Sequence, residues 1–217
     1  QPVLADKLAA EAPKANPKVL ALAARAAECA RKQGVLDGFR HLAVIDYSMP
    51  STQPRLWVFD LERGRLMFQE LVAHGRNTGE AKAERFSNIE GSHMSSIGLF
   101  KTLEPYYGSN GYSLRLSGLD PGFNDNALAR AIVMHGAPYV SEAIAERHLL
   151  LRLCHAPESS GPGPPTRSPA GSAAGSCGGS GGGAGGAGAR AGAGQVWLGE
   201  PGRAGVRALP GGGVPGG

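Results

Sequence analysis

The chain changes character near His148, and this break constrains its fold more than any other feature. Residues 149–217 contain no Phe, Tyr, Met, Ile, Asn, Lys or Asp, and 22 of the 34 glycines follow position 160. The first six of those missing types have AT-rich codons, whereas the Gly, Ala, Pro and Arg that dominate the segment have GC-rich ones. We therefore predict a disordered Gly/Ala/Pro-rich tail over 149–217 that reads like GC-rich DNA translated out of frame.

About 150 residues precede the break, which is enough for one domain with a real core. We divide the chain into an N-terminal helical element (1–40), a truncated domain (41–148) and the tail (149–217). Residues 1–148 are nearly neutral, with 17 Lys+Arg against 16 Asp+Glu, so the net charge of +4 comes mostly from the tail. Because this positive charge lies mostly in the tail, it gives no support for nucleic-acid binding. No apolar run of the sequence approaches the length of a membrane span.

The three cysteines, Cys29, Cys154 and Cys177, do not suggest a disulfide framework. Cys29 lies in an apolar helical pattern and is predicted to be a small buried residue. The chain opens at Gln1 rather than Met, so we expect a processed form or a fragment, with no signal peptide visible in it.

Helical patterns come first, and short strand patterns follow. A short helix is predicted over 3–12, and Asn16-Pro17 provides an N-cap and first-turn proline for a second helix over 18–33. Further short helices are predicted over 121–130 and 138–147. The strand candidates are 41–47, 55–61, 65–74, 97–102, 112–116 and 131–135. Many short strands with glycine turns predict a mainly β fold, a β-sandwich or open barrel with N-terminal helices.

Several separate blocks, in a fixed order, carry a family resemblance. They include Val44-Ile45-Asp46-Tyr47, then Gly91-Ser92-His93-Met94-Ser95-Ser96, and finally Ile132-Val133-Met134-His135-Gly136. Together the blocks resemble the YkuD-type murein L,D-transpeptidase catalytic domain over about residues 42–146, and the N-terminal helices are also similar. The resemblance implies a predominantly β fold in the periplasm or cell envelope, with peptidoglycan stem peptides as the partner.

In that family a cysteine thiolate attacks the carbonyl of an L-residue next to a D-residue, and an amine or water resolves the acyl-enzyme. This chemistry needs a thiolate, an imidazole within hydrogen-bond reach, and N–H donors for the oxyanion. The resemblance implies that His135 is the base and that Gly136 lets the chain turn beside it. The candidate substrate-binding residues are His93, Ser95, Ser96, Tyr139 and Ser141.

For four of these candidates, His93, Ser95, Ser96 and Tyr139, a purely structural role is also open. His93 can order its loop through a hydrogen bond, Ser95 and Ser96 can pin a strand, and Tyr139 can serve packing. For His74, which precedes Gly75, a structural turn contact is favoured over substrate binding.

The family nucleophile is expected some twenty residues after His135, in a Ser-x-Gly-Cys-Pro-like motif, and this motif is absent. Cys154 follows His135 by 19 residues, but no glycine precedes it, and its leucine-rich surroundings would raise a thiol pKa. We therefore interpret Cys154 as a chance cysteine and expect the chain to be catalytically inactive as written. A frameshift near His148 explains both the lost motif and the change of composition.

Two other classes of function stay open. One is a non-catalytic peptidoglycan-binding module, and the other is a hydrolase of different chemistry, such as a metal-dependent amidase. No pair of histidines or carboxylates has helix-borne zinc spacing, so neither a metal nor another cofactor is expected. We expect a monomer, and both cross-linking and hydrolysis are compatible with the resemblance.

Overall fold

The computed structural model describes residues 3–35 and 38–136, together with the backbone of a strand at 194–199. Two helices lead the chain, α1 (Leu4–Glu11) and α2 (Pro17–Lys32). Helix α2 begins where the sequence predicts, because the Asn16 side chain accepts a hydrogen bond from the Lys18 N–H at 3.0 Å. It ends before Gly34, whose φ of +65° suits a helix terminus.

The seven strands of the described residues form one sheet. They are β1 (His41–Asp46), β2 (Leu56–Asp60), β3 (Arg65–Glu70), β4 (Gly98–Gly108), β5 (Gly111–Gly118), β6 (Val133–His135) and β7 (Gly194–Gly199). Their order is β3-β2-β1-β7-β4-β5-β6, and every neighbouring pair is antiparallel except β4 and β7. The predicted mainly β fold with N-terminal helices is confirmed.

Strand β7 corrects the prediction for the tail. It pairs with β1 from His41↔Gly199 to Asp46↔Gly194, and it pairs with β4 on its other side. The predicted disorder over 149–217 is therefore wrong for these six residues. The reason is local: Val196, Trp197 and Leu198 are β-prone residues bounded by glycines, and a central position pairs backbone groups on both sides of the strand. The rest of the tail lies outside the described residues.

The sheet separates two apolar layers. On one face, α1 and α2 cover alternate strand residues such as Leu42, Val44 and Trp57. On the other face, the intervening residues Ala43 and Ile45 pack with residues from the loops. This alternation follows from the two-residue period of a strand. The sheet therefore lies between a layer of helices and a layer of loops.

Three local predictions need correction. The predicted helix over 121–130 is a series of turns, in which the buried Asn124 side chain donates to the carbonyls of Ile97 and Leu99. Asparagine side chains compete with the helical backbone in this way. The predicted strand over 65–74 ends at Glu70. Cys29 is half-buried rather than buried, so the expectation of a small buried residue is wrong, and both other cysteines lie outside the described residues.

Candidate active site

Two loop segments between β3 and β4, residues 75–79 and 87–96, are joined by hydrogen bonds and are called the paired loops below. The Gly75 N–H donates to Ser95 Oγ at 2.9 Å, and the Ser95 N–H donates to Thr78 Oγ1 at 2.8 Å. The Asn77 side chain donates to the Ser92 carbonyl at 2.9 Å. A Cβ on Gly75 would lie 2.5 Å from the His93 carbonyl oxygen, so the close approach requires glycine.

Arg130 holds the second of the paired loops from inside the protein. Its side chain is buried, and it donates to the carbonyls of Ser87 at 2.6 Å and Met94 at 2.7 Å. It also donates to the hydroxyls of Ser96 at 2.6 Å and Ser92 at 3.0 Å. Burial lowers the pKa of Arg130, but an arginine stays charged at neutral pH. One buried cation therefore fixes four points of the loop.

A second buried arginine, Arg55, holds the start of the paired loops. Its guanidinium donates twice to the Val72 carbonyl, at 3.1 and 3.0 Å, and its Nη2 lies 2.8 Å from His74 Nδ1. Because a guanidinium only donates, Nδ1 accepts and the ring proton is on Nε2, which lies 3.1 Å from the Gly79 carbonyl oxygen. Burial, and then the charge of Arg55, lower the pKa of His74. His74 is thus a neutral structural residue, as the sequence favoured.

Tyr47 connects strand β1 to the same cluster. Its ring lies 5.0 Å from Arg55 Cζ and 5.5 Å from the Phe86 ring. Burial raises the pKa of Tyr47 to about 12, although Arg55 and a hydrogen bond with Ser95 oppose this rise. The phenol is therefore neutral and contributes packing and a hydrogen bond.

His135 lies at the end of β6, on the edge of the described sheet. It pairs with Ser113 of β5, and the preceding Val133 is buried and anchors the strand. His135 Nδ1 lies 2.8 Å from the Gly136 carbonyl oxygen. A carbonyl oxygen only accepts, so in the neutral ring Nδ1 carries the proton and Nε2 carries the lone pair. This is the tautomer that lets Nε2 accept a proton from a nucleophile.

Comparison with protein families matches residues 11–156 to the L,D-transpeptidase catalytic domain of the YkuD type. The match covers more than half of the chain and includes α2, the paired loops and His135. The chain belongs to the L,D-transpeptidase catalytic domain family. Members of this family act on peptidoglycan. Comparison with curated proteins gives no match, and comparison with solved structures gives none.

Three of the candidates implied by the resemblance, His93, Ser95 and Ser96, lie together on the second of the paired loops. The His93 backbone has a φ of +52°, which is uncommon outside glycine. Ser95 and Ser96 are buried, and both hydroxyls are bonded to other groups of the protein. Direct contact of these two hydroxyls with a substrate stays a prediction that the arrangement does not support. Tyr139, Ser141 and Cys154 lie outside the described residues.

Arg130 and Arg55 were missed by sequence reasoning. Arg130 contacts residues up to 43 positions away in the chain, and no periodic pattern reveals such a contact. Arg130 is also five residues before His135, so the chain between them spans at most about 18 Å. The paired loops and the family histidine are therefore tied to one short segment.

One cavity of about 410 Å³ lies away from this site. It lies between α1 and the β2–β3 hairpin, and its lining includes Leu4, Phe59 and Arg65. Strand β3 is at the opposite edge of the described sheet from β6, which carries His135. Within 3–35 and 38–136, no three His, Cys, Asp or Glu side chains are grouped to hold a metal ion. In that same part of the chain, no helix is long and apolar enough to cross a membrane.

Proposed function

We propose that this fold is built for cysteine acyl transfer on peptidoglycan stem peptides, with His135 as the general base. The observation that carries the proposal is the contact between His135 Nδ1 and the Gly136 carbonyl at 2.8 Å, in a chain of the L,D-transpeptidase family. This contact keeps the lone pair on Nε2 and stabilises the imidazolium after proton transfer.

The first step requires His135 Nε2 to take the proton of a cysteine thiol. The thiolate then attacks the carbonyl carbon of the L-residue, and the resulting tetrahedral oxyanion needs N–H donors. As the C–N bond breaks, the imidazolium returns the proton to the leaving D-amino acid. An amine or water later attacks the thioester and releases the thiol. The thiol and the oxyanion donors belong to the motif that is absent from this sequence.

The chain as written is accordingly proposed to be inactive. Cys154 is the cysteine at the expected distance after His135, but it lacks the preceding glycine of the family motif. We propose with it that a frameshift near His148 replaced the end of the domain, and we keep the boundaries 1–40, 41–148 and 149–217. We also propose that the complete domain is a β-sandwich or open barrel. Strand β7 indicates that part of the tail can nevertheless complete the sheet.

The proposed location is the periplasm or cell envelope, where the polymer is. Support for this location comes from the family match, because members of this family act on peptidoglycan. A monomer is proposed, with stem peptides as its partner.

The decisive experiment reads the gene in all three frames from the codon of Ser141 onward. We expect another frame to encode a Ser-x-Gly-Cys-Pro-like segment about twenty residues after His135. The protein repaired in that frame should release the terminal D-amino acid from a stem tetrapeptide, and its His135→Ala variant should lose at least about 100-fold in rate. The chain as written, with Cys154→Ala as its control, should form no acyl adduct with a carbapenem by mass spectrometry. An adduct that disappears in Cys154→Ala would refute the proposed inactivity.

A second candidate, a non-catalytic peptidoglycan-binding module, is favoured by one specific observation. The paired loops are held by Arg55 and Arg130, and neither arginine belongs to the absent motif. Substrate contacts made by these loops can therefore survive without turnover. Purified sacculi should retain the chain in a pull-down, and His93→Ala should weaken this retention. Retention equal to that of an unrelated protein of similar charge would exclude the binding module.

A further inference from the structure

The β4–β5 hairpin and β6 carry a row of side chains on one face of the sheet. Tyr106 of β4 pairs with Ser113 of β5, and Ser113 in turn pairs with His135 of β6. Directly paired residues of antiparallel strands project to the same face. Tyr106, Ser113 and His135 therefore lie in a row, and two strand spacings put the first and the last backbone positions about 10 Å apart.

Arg115 projects from the same face, because it is two residues from Ser113 on β5. Its Cζ lies 4.3 Å from the centroid of the Tyr106 ring, although the side chain as a whole is exposed. Among the ion pairs of the described residues, none involves Arg115. The Tyr106 ring thus positions the Arg115 guanidinium. No carboxylate of the described residues forms an ion pair with it.

A guanidinium that stacks on a ring keeps its N–H donors in the plane of the group. These donors match the two oxygens of a carboxylate, and the ring limits the side-chain freedom that binding would otherwise remove. The chemistry of the pair is therefore that of a carboxylate site rather than of a general cationic surface.

We infer that Arg115 and Tyr106 form a carboxylate-binding subsite for the stem peptide, on the same sheet face as His135. This inference rests on the proposed function. A peptide residue spans at most about 3.6 Å, so the 10 Å between the backbone positions of Tyr106 and His135 corresponds to two or three residues. The carboxylate of the leaving D-residue is only one residue from the scissile carbonyl, which is too close. The subsite therefore takes an internal carboxylate, two or three residues from the scissile bond.

The test measures the Kd of the full chain for a synthetic stem peptide by isothermal titration calorimetry. Arg115→Gln should weaken binding about 10-fold or more, and Arg115→Lys should lose less because it keeps the charge but not the fork. Amidating the internal carboxylate should weaken binding to the unmodified chain by the same factor and should not weaken Arg115→Gln further. Amidating the C-terminal carboxylate should leave the effect of Arg115→Gln unchanged.

Two matched controls separate the subsite from charge and from the hairpin. Arg25→Gln removes an exposed arginine from α2, and Tyr107→Ala removes the exposed ring that lies on the opposite face of the same hairpin. Both should bind like the unmodified chain, and all variants should keep its Tm because these side chains are exposed. Stem-peptide binding that is equal in Arg115→Gln would overturn the subsite and leave the proposed function standing. No binding by the unmodified chain would overturn the subsite and the binding-module candidate, whereas the frame-repaired protein tests the acyl-transfer proposal separately.

Discussion

The paired loops and strand β6 are the two described parts of the candidate active site, and different forces hold them. Arg130 holds residues 87–96 from inside through charge-assisted hydrogen bonds to carbonyls and hydroxyls, and Arg55 holds Val72 and His74 just before residues 75–79. Strand β6 has three residues, lies at the edge of the described sheet and is held by its pairing with β5.

The difference shows which half of the site depends on the sequence after the break. The loop contacts described above are made by residues 47–130, so they do not depend on the sequence that follows His148. In the proposed function, by contrast, His135 needs a cysteine from a motif that is absent after the break. We therefore expect this chain to retain the paired loops as a binding surface more readily than a complete catalytic centre at His135.

The largest expected effect comes from removing the cation beneath the loops. Arg130→Met should lower the free energy of unfolding by about 3 kcal/mol or more, because it removes the donors to the Met94 carbonyl and to the Ser92 and Ser96 hydroxyls. Urea denaturation measures this loss, and hydrogen exchange should show faster exchange in 87–96 while β5 stays protected. The exposed Arg25→Met is the matched control and should change the stability by at most about 0.5 kcal/mol. Equal losses in the two variants would contradict the role of Arg130.

A smaller loss is expected where the paired loops meet. Gly75→Ala would place a methyl group 2.5 Å from the His93 carbonyl oxygen, and the backbone must shift to accept it. We expect a loss of about 1–3 kcal/mol and a change in the His93 amide resonance.

Gly64→Ala, in the β2–β3 turn, provides the comparison for this variant. A Cβ there meets nothing within 4 Å, and the cost comes from the φ of +62° alone. This variant should leave the His93 resonance unchanged. A shift of that resonance in Gly64→Ala would mean that general destabilisation, rather than the loop contact, moves His93.

The sequence predicts elements that local rules determine. The cap at Asn16-Pro17 and the apolar spacing after it identify α2, and alternation identifies β1 and β2. The sequence does not reveal interactions between distant residues, such as the contact of Arg130 with Ser87. Composition also misled: the glycine-rich surroundings of Gly194–Gly199 concealed a strand whose own residues are β-prone.

The pH dependence of stability should distinguish the structural histidine of the loops from the rest of the chain. Burial and Arg55 lower the pKa of His74 in the folded state, so the unfolded chain binds the proton more readily. The stabilising contribution is fully present above the unfolded pKa of about 6.5 and is lost as the pH falls below it.

The Tm of the unmodified chain should therefore drop below pH 6.5 more steeply than that of His74→Gln, which cannot titrate. His41 also has a pKa lowered by burial, so His41→Gln is the matched control for one titrating histidine fewer. Parallel pH profiles for the unmodified chain and His74→Gln would show that the Arg55–His74 contact has no effect on the acid response.

The finest distinction between the two parts is the position of one proton. His74 accepts from Arg55 at Nδ1 and so carries its proton on Nε2, whereas His135 donates from Nδ1 to the Gly136 carbonyl. Nitrogen-15 NMR at pH 8 should therefore show opposite tautomers for the two rings, with His74→Gln and His135→Gln assigning the signals. A proton on Nε2 of His135 would remove the geometric basis for His135 as a base. A proton on Nδ1 of His135 would show that the proton arrangement required for thiol activation persists in a chain without the nucleophile motif, because the Gly136 carbonyl accepts from Nδ1.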